Sequence, residues 1–584
     1  MNHTVVITKK PVLSGKQSTP DGAICGNGDL AAVLGSSEMG MRVFLGKSDL
    51  WYAADEGSGI RPLGYVDINI PAALYNNVYR AEQRMDEAKV VCDFREGYSH
   101  IGVELMVPAT ANALLIKLDW SRNFHEPTPS LNVRQTHGCV VTPFTEKDVE
   151  GAYVAYEGEN LRFETRAKVG MRRVISGENS AVYAVMVCTE ADSPDFRSIG
   201  LSLLEDMDEA VIARLQAEHK AFWDGFYAKS AVSISDSSLE NDWYASQYLL
   251  AVCRGKPMFP PGLYGNFITV DKPSWGGDYH LNYNYEAPFY AAVSSNHPEL
   301  TDYYADPLLA AVEGGRKNAS DYLGCEGIYF PVSLGPKGLF PEEDRIYPEK
   351  MFLGQKLCAS YAAVIPVLRW RGTLDTQYAR SVLYPYLLDV AAFWDSFLKK
   401  EKNGRYSIVG DAIHEIPYYQ KGFRASKYKG AIRAKNSVLS LGLVRMVYST
   451  LLSLAEPMGA TAQQRDHWQE VLDHLSPFPK KRGKYIYTQR GPKKYKVNTV
   501  GIQHIFPVGE GMDGKKAVKT AKKTVEKMKR WQDENGTNSL YPAAVRVGIP
   551  ADEILKHYIH NREHFLLDNG LYNHKGGCLE NVSL

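Results

Sequence analysis

Residue types that can do carboxylate and carboxamide chemistry are concentrated in one short segment, from Trp275 to Glu286. It reads Trp-Gly-Gly-Asp-Tyr-His-Leu-Asn-Tyr-Asn-Tyr-Glu and follows a Pro-Ser break. If residues 281–285 are extended, Asn282 and Asn284 point to the same side, because side chains alternate along a strand. Two carboxamides that converge on one point can hold a water molecule or a hydroxyl group. The alternative is a loop in which Asn and Asp side chains bond to their own backbone.

A second candidate group surrounds Glu415, within the sequence Gly-Asp-Ala-Ile-His-Glu-Ile-Pro-Tyr-Tyr that starts at residue 410. Pro417 disfavours helical backbone at the residue before it, so Glu415 is expected in a loop. A carboxylate between apolar and aromatic neighbours is desolvated, which raises its pKa towards that of a general acid. A plain acidic residue of a surface loop is an equally good interpretation.

A third group lies near the end of the chain, with Asp568 in an Asp-Asn-Gly sequence and Glu580 after a Gly-Gly pair. Asn-Gly and Gly-Gly mark turns. Each acid is therefore either a loop carboxylate of a site or part of a turn. His504 is one further polar candidate, and lone histidines of this kind are more often core or loop residues.

Several other chemistries are disfavoured. The chain has no GxGxxG, Walker A, HExxH or GxSxG motif, and its one inverted HxxEH match, at residues 560–564, is better interpreted as a polar helix end. Lys and Arg total 67, as do Asp and Glu, so no net charge recruits nucleic acid or an anionic membrane. What remains is typical of a glycosidase, in which one acid protonates the leaving oxygen and another group activates water.

The elements that must position these residues change in type along the chain. Up to about residue 200 the hydrophobic period is two, as in Val66, Ile68 and Ile70, which predicts an antiparallel β-sandwich. Afterwards the period is helical, and Ser237-x-x-Glu240 is interpreted as a capping box. The clearest predicted helices are 352–371, 377–400 and 436–454, and others are expected near 298–322, 460–475, 515–534 and 551–560.

The compartment is predicted from the N-terminus and the cysteines. The first fourteen residues contain no uninterrupted apolar stretch, so no signal peptide is expected and the predicted location is cytoplasmic. A secreted or periplasmic location is expected instead if the N-terminus has been trimmed. The eight cysteines are scattered without a CxxC pair, which favours reduced thiols.

Three motifs resemble glycoside hydrolase family 95, whose members are inverting enzymes acting on α-L-fucosides and α-L-galactosides. Residues 26–30 (Gly-Asn-Gly-Asp-Leu), Gly35 and residues 45–51 (Leu-Gly-Lys-Ser-Asp-Leu-Trp) are similar to the opening pattern of that family. Residues 275–284 are similar to its WGS-x-Y-x-LNIN segment, with Gly277 and Tyr283 departing from the commonest form. The resemblance implies an α+β multidomain protein: an N-terminal antiparallel β-sandwich (residues 1–204), a helical linker (205–235) and a catalytic (α/α)6 barrel (236–584).

The resemblance also implies catalytic roles. Asn282 and Asn284 match the pair that holds the attacking water, and Glu415 is the candidate acid, although its surroundings differ from the family's "SPEN"-like sequence. The acid that activates the asparagines is either Glu580, by position, or Asp568, whose neighbours look more like the family's "IDANFG". We expect substrate contacts from a wider set: Trp275, Asp278, Tyr279, His280, Tyr283, His414 and His504.

No metal or organic cofactor is expected, and the expected partner is an oligosaccharide or polysaccharide rather than nucleic acid or membrane. The sequence does not fix the oligomeric state. Because the chain stops a few residues after Glu580, we expect the barrel to be truncated at its C-terminal end. A polysaccharide lyase, a glycoside phosphorylase and a non-catalytic glycan-binding protein are the alternatives to a hydrolase.

Overall fold

The computed structural model describes most of the chain, and two candidate residues, His414 and Glu415, lie outside the described part. The chain forms two compact units. The first consists of Met1–Asp278, Ser295–Tyr303 and Leu566–Val582, and the second of Tyr279–Ser294, Tyr304–Phe565 and Ser583–Leu584. The described residues are 3–12, 19–38, 40–55, 57–133, 138–341, 355–412, 434–491, 501–528, 531, 537–573 and 577–583.

The first unit is built mainly from antiparallel strands. A nine-stranded sheet has the order β1-β8-β9-β10-β11-β17-β16-β14-β13, a five-stranded sheet has the order β12-β7-β4-β3-β2, and β15-β5-β6 form a third sheet. The strands are β1 Thr4–Ile7, β2 Ile24–Gly26, β3 Leu30–Ser37, β4 Gly40–Lys47, β5 Trp51–Ala54, β6 Gly57–Ile60, β7 Gly64–Asn69, β8 Ala81–Arg84, β9 Lys89–Glu96, β10 Ser99–Met106, β11 Ala113–Trp120, β12 Pro129–Val133, β13 Cys139–Glu146, β14 Val149–Tyr156, β15 Phe163–Glu164, β16 Ala167–Ser176 and β17 Ser180–Thr189.

The alternating pattern in the sequence explains these strands. In β7, Val66 and Ile68 are buried while Asp67 between them is only half-buried. Asp67 pairs in register with Arg42 of β4, and the two side chains form an ion pair with an Nε–Oδ1 distance of 2.7 Å. One hydrophobic cluster contains side chains of both larger sheets, Val43 and Val66 from the five-stranded sheet and Val103 and Ile116 from the nine-stranded one. The predicted many-stranded antiparallel N-terminal part is therefore present.

All helices of the first unit except α1 follow the strands, and two of them are long. Helix α4 starts after Asp208, whose side chain accepts a hydrogen bond from Val211 N. Helix α5 is capped by Asp236, which accepts from the backbone amides of residues 238 and 239, so the predicted cap at Ser237 is off by one residue. The helices are α1 Ala72–Asn77, α2 Phe196–Ile199, α3 Ser202–Glu205, α4 Glu209–Tyr227 and α5 Ser237–Val252.

The motif residues at the start of the chain form a buried charge cluster in the first unit. The Nζ atom of Lys47 lies 2.6 Å from Asp29, 3.1 Å from Asp49 and 3.2 Å from Asp192. Lys256 joins the same three carboxylates. Although burial alone would raise it, the charges of Lys47 and Lys256 hold the pKa of Asp29 well below its usual range. These motif residues therefore have a structural role.

The second unit is mainly helical, as the change of period predicts. Its most apolar helix, α12, is long enough to cross a membrane by length and composition, but most of it is buried inside the protein, as in a core helix. The helices are α6 Asp306–Ala310, α7 Val312–Asn318, α8 Cys358–Ala362, α9 Val364–Thr373, α10 Thr376–Tyr378, α11 Tyr384–Phe397, α12 Val438–Met458, α13 Ala462–His474, α14 Gly514–Val525, α15 Thr537–Arg546 and α16 Ala551–Phe565. Helix α15 is not among the predicted helices, and the closed (α/α)6 arrangement stays a prediction.

Candidate functional site

The segment that carries Asn282 and Asn284 begins with an irregular turn. Residues Ser274–Gly277 form a short 3-10 turn in which Trp275, Gly276 and Gly277 have φ angles of 51°, 67° and 67°. The chain then enters a short strand, β18 (Tyr279–His280), which pairs with β19 (Ser333–Leu334) of the second unit. Gly276 and Gly277 favour this turn conformation, because residues without a Cβ adopt positive φ at little cost.

The strand ends earlier than an extended stretch over residues 281–285 requires. Leu281 N still donates to Val332 O at 2.8 Å, but Tyr285 N turns back to donate to His280 O at 3.0 Å. Ala287 N then donates to Tyr283 O at 3.0 Å. Residues 281–286 therefore form turns, and the alternation rule for strands does not apply to the two asparagines.

The two asparagines differ in their surroundings. Asn282 is fully buried, and its Nδ2 donates to Oε1 of Gln355 at 3.4 Å. Asn284 is half-buried. Tyr283, between them, donates from its hydroxyl to Oδ1 of Asn538 at 2.9 Å. The segment is thus fixed by side chains from two distant stretches of the second unit.

The same segment ends in a carboxyl group, that of Glu286, which the residue pattern does not mark as a candidate. Glu286 is fully buried, and no described donor reaches either carboxylate oxygen in hydrogen-bonding geometry. Desolvation raises the pKa of Glu286 to about 8. The backbone N–H groups of Glu286 and Tyr283, which are near but outside good hydrogen-bonding geometry, and His280 offset only part of that effect. The carboxyl group is therefore mostly protonated, and neutral, at pH 7.

Tyrosine rings surround this part of the second unit. The rings of Tyr285 and Tyr304 stack with centroids 4.5 Å apart, and the Tyr285 hydroxyl donates to Tyr304 O at 2.7 Å. The hydroxyls of Tyr290 and Tyr361 lie 3.1 Å apart. Burial raises the pKa of Tyr290 and of Tyr361 well above the ordinary value, and a charge on Glu286 would raise both further. These two tyrosines therefore stay protonated at neutral pH.

The candidate group around Glu415 starts at Gly410, and its first three residues are described by the structure. They include a buried acid, Asp411. Its Oδ1 accepts from Lys356 N at 2.8 Å and its Oδ2 accepts from the Ser440 hydroxyl at 2.5 Å. Lys356 Nζ donates to Gly410 O at 2.8 Å, so Lys356 holds the segment through both its backbone and its side chain. Burial raises the pKa of Asp411, and these partners oppose the rise. This contact network fixes the chain immediately before His414 and Glu415.

The proposed substrate-contacting residues lie in different surroundings. Tyr279, His280 and Tyr283 are buried in the second unit, whereas Asp278 is buried in the first unit and Trp275 there is 53% exposed.

His504 lies in an aromatic environment, 5.1 Å from the ring of Phe478 and 4.7 Å from that of Tyr485. Desolvation, with Arg445 and Lys480, lowers the pKa of His504 to about 3, so the ring is neutral.

The two C-terminal acids differ sharply in exposure. Asp568 is exposed. The next residue, Asn569, is buried, donates to Pro20 O and Gly22 O at 2.9 and 2.8 Å, and accepts from Leu571 N at 3.0 Å. Asp568 thus lies in a turn. Glu580 is fully buried and belongs, like Asp568, to the first unit.

The chain is similar to known proteins both in part of its sequence and in its fold. Residues 213–486 match the model of the glycosyl hydrolase family 95 catalytic domain. No curated protein sequence matches the chain significantly. A structure assigned as a kojibiose phosphorylase from the human microbiome aligns with a TM-score of 0.66 and 11% identity, over 96% of this chain and 84% of that one.

Two further structures align less closely. A bacterial glucoamylase complexed with acarbose has a TM-score of 0.41 and 10% identity, over 90% of this chain and 82% of its own. A family GH92 α-mannosidase from Bacteroides thetaiotaomicron has a TM-score of 0.39 and 11% identity, over 97% and 81%. The match at residues 213–486, just under half of the chain, agrees with the resemblance to glycoside hydrolase family 95 that the motifs indicate, and the alignment with a TM-score of 0.66 shows a similar fold.

Proposed function

We propose that the protein hydrolyses terminal α-L-fucosyl or related glycosidic bonds with inversion at the anomeric carbon. The observation that carries the proposal is the pair Asn282 and Asn284 within the family-matched region, with Asn282 buried and bonded to Gln355. A fixed carboxamide suits a water-holding role, because catalytic groups work best when neighbouring side chains hold them in place. Asn284, which is only half-buried, is the member of the pair with the greater access to solvent.

The proposed reaction is a single displacement. Glu415, protonated, gives its proton to the glycosidic oxygen as the bond to the anomeric carbon breaks. A water molecule held by Asn282 and Asn284, and polarised through Glu580, attacks that carbon from the opposite face and loses a proton. We expect a separation of roughly 6.5–9.5 Å between the two carboxyl groups, as in inverting glycosidases.

The choice of Glu580 over Asp568 as the activating acid rests on their surroundings. Asp568 is exposed and begins a turn whose next residue bonds to three backbone groups, which is sufficient to explain that sequence. Glu580 is fully buried, where a carboxylate needs a specific reason to be retained. Its activating role stays a prediction.

The first experiment measures hydrolysis of a panel of nitrophenyl glycosides that includes the α-L-fucoside and the α-L-galactoside. Proton NMR of the first product identifies the anomer, and release of the retained anomer would exclude the inverting mechanism.

The variant Glu415→Gln should lose activity by orders of magnitude on substrates with poor leaving groups, because these need a proton donor. Glu456→Gln, at an exposed glutamate of α12, is the matched control and should keep full activity. If Glu415→Gln hydrolysed these substrates at near-normal rates, Glu415 would not be the general acid.

A glycoside phosphorylase is the second candidate, because the structure with the TM-score of 0.66 is assigned as one. A phosphorylase uses phosphate in place of water and releases a sugar phosphate. Turnover that requires inorganic phosphate would favour it, and turnover in phosphate-free buffer would favour the hydrolase. Products with ultraviolet absorbance would indicate a lyase instead.

A further inference from the structure

The first unit contains a cavity of about 710 Å³ that has no part in the proposed reaction. Helix α4 contributes to its wall, together with residues of strands β9, β10 and β11. None of the residues proposed for catalysis lines it. Its volume is within the range of roughly 300–1,000 Å³ that is usual for ligand pockets.

The floor of the cavity is aromatic and deeply buried. Trp223 and His219 of α4 are 1% and 2% exposed, and Tyr244 of α5 is 1% exposed. The rings of Trp223 and Tyr227 stack at 5.8 Å, and His3 stacks on Tyr244 at 3.5 Å. Rings with polar edges suit ligands that present both apolar faces and hydroxyl groups.

Four residues that line the cavity keep buried polar atoms without a hydrogen-bond partner in the part of the chain that the structure describes. These atoms are His3 Nε2, Asp86 Oδ1, His219 Nδ1 and Trp223 Nε1. Buried polar atoms without a partner are rare in native proteins, because each one costs about 1–3 kcal/mol. A polar ligand in the cavity would complete the hydrogen bonding of these four atoms.

These atoms include both donors and acceptors. The indole N–H of Trp223 can only donate, and Asp86 Oδ1 accepts when the carboxylate is charged. His219 Nε2 lies 2.8 Å from Glu87 O, a carbonyl, so Nε2 carries the proton and Nδ1 is an acceptor. Burial lowers the pKa of His219, which keeps the ring neutral. Hydroxyl groups, which both donate and accept, match this mixture.

The charged side chains around the cavity do not favour binding of an anionic or of a cationic ligand. Four acidic and three lysine side chains line it. Lys89 Nζ lies 3.4 Å from Glu104, and Lys220 Nζ lies 2.5 Å from Asp224, so much of this charge is paired within the protein. A neutral ligand therefore fits better than a phosphate, a uronate or an amine.

We propose that this cavity binds a neutral polyhydroxylated ligand, namely one or two sugar residues, independently of the proposed catalytic residues. Such a site would hold a glycan on the first unit without cleaving it. The inference stands whether the enzyme is a hydrolase or a phosphorylase.

The experiment uses the full chain with Asn282→Ala and Asn284→Ala, so that binding through the proposed catalytic asparagines is removed. The probes are D-glucose, D-galactose, L-fucose, D-xylose, maltose and cellobiose, with D-glucuronate and D-glucosamine as charged comparisons. Saturation-transfer NMR identifies the sugars that bind, and calorimetric titration gives the dissociation constants. At least one neutral sugar should bind and should bind more tightly than either charged comparison.

A blocking variant locates the binding. Gln216 is an exposed residue of α4 that lines the cavity, so Gln216→Trp should fill it without disturbing the core and weaken binding by roughly tenfold or more. Ala213→Trp, exposed on the same helix but away from the cavity, is the matched control and should bind normally. Trp223→Phe, which keeps a ring and loses the donor, should weaken binding by roughly fivefold.

Three results would overturn the proposal. The first is that no neutral probe binds the chain without the two asparagines. The second is that Gln216→Trp leaves the affinity unchanged, which would place the sugar elsewhere. The third is that glucuronate or glucosamine binds more tightly than every neutral sugar, which would show that the site selects charge.

Discussion

A carboxyl group that is buried without well-placed hydrogen-bond donors is costly when charged, so it keeps its proton to an unusually high pH. Glu286 is in this position, between the asparagine segment and the tyrosines of the second unit. Its neutral form can donate one hydrogen bond through the O–H group and can still accept, whereas the charged form can only accept. Glu286 therefore adds a neutral carboxyl group to the segment that carries Asn282 and Asn284.

The raised pKa of Glu286 predicts a pH dependence of stability. In the unfolded chain a glutamate loses its proton near pH 4.3, whereas in the folded protein Glu286 keeps it to about pH 8. The stabilisation is full below the unfolded pKa and is lost as the pH rises to about 8. Glu286→Gln, which cannot ionise, should show a flatter melting temperature between pH 5 and pH 8. Parallel curves for the two proteins would contradict the raised pKa.

The sequence predicts the region of the candidate site but not the state of each residue. The types and spacing of residues from Trp275 to Glu286 are sufficient to mark the segment. Nothing near Glu286 in the sequence shows that it is buried without a donor, because its surroundings include Tyr304 and Tyr361 from distant stretches. Burial of one side chain is a tertiary property, and a local pattern does not contain it.

At the level of elements, the hydrophobic period predicts the strands and most helices, and the exceptions have local causes. Helix α15, which the pattern does not predict, contains Pro542, and proline is an unfavourable residue inside a helix. The strand expected over residues 281–285 ends at His280 because the backbone of Tyr285 bonds back to it. Such returning bonds depend on backbone angles that the alternation of residue types does not reveal.

The start of α5 offers a test of its cap. Asp236 accepts hydrogen bonds from two amides of the first turn, so Asp236→Ala should lower the free energy of unfolding by about 1 kcal/mol. Ser237→Ala, at the position that the sequence pattern favours, should change it much less. Urea denaturation at pH 7 measures both. If Ser237→Ala lowered the free energy of unfolding more than Asp236→Ala, Ser237 would be the capping residue, as the sequence pattern predicts.

Gly46, in the Leu-Gly-Lys-Ser-Asp-Leu-Trp motif, has no room for a side chain, so adding one methyl group should strongly reduce stability. A Cβ on Gly46 would lie 1.7 Å from the backbone oxygen of Asn266, so Gly46→Ala should prevent or severely weaken folding of the first unit. Gly225, in helix α4, has open space at the same position, and Gly225→Ala should raise stability by up to about 1 kcal/mol. Soluble yield and melting temperature measure the contrast. If Gly46→Ala and Gly225→Ala had equal soluble yields and melting temperatures, Gly46 would not be required for close packing against Asn266.

For the whole molecule, the buried charge cluster joins segments that are far apart in the sequence, from Asp29 to Lys256. Lys47→Met removes one lysine from three buried or half-buried carboxylates, and breaking such an arrangement costs about 3–5 kcal/mol. Lys147→Met is the matched control, because its ion pair with Glu205 is on the surface and contributes little. Melting temperatures at pH 7 should fall for the first variant and hardly change for the second.

The same cluster predicts a loss of stability in acid. Because the pKa of Asp29 is lowered by folding, its contribution is present above the unfolded value of about 3.9 and is lost as the pH falls through the folded value. The difference between the original chain and Lys47→Met should therefore shrink in strong acid. A difference that is independent of pH would mean that lost packing, rather than lost charge, destabilises the variant.

The bonds of Asn569 also determine the order in which the protein can assemble during synthesis. Its side chain binds the backbone of Pro20 and Gly22, and its own carbonyl accepts from Gln83. The ribosome must translate almost the whole second unit before residues 566–582 can complete the first. During synthesis, these bonds to Pro20 and Gly22 can therefore form only after Asn569 has emerged from the ribosome.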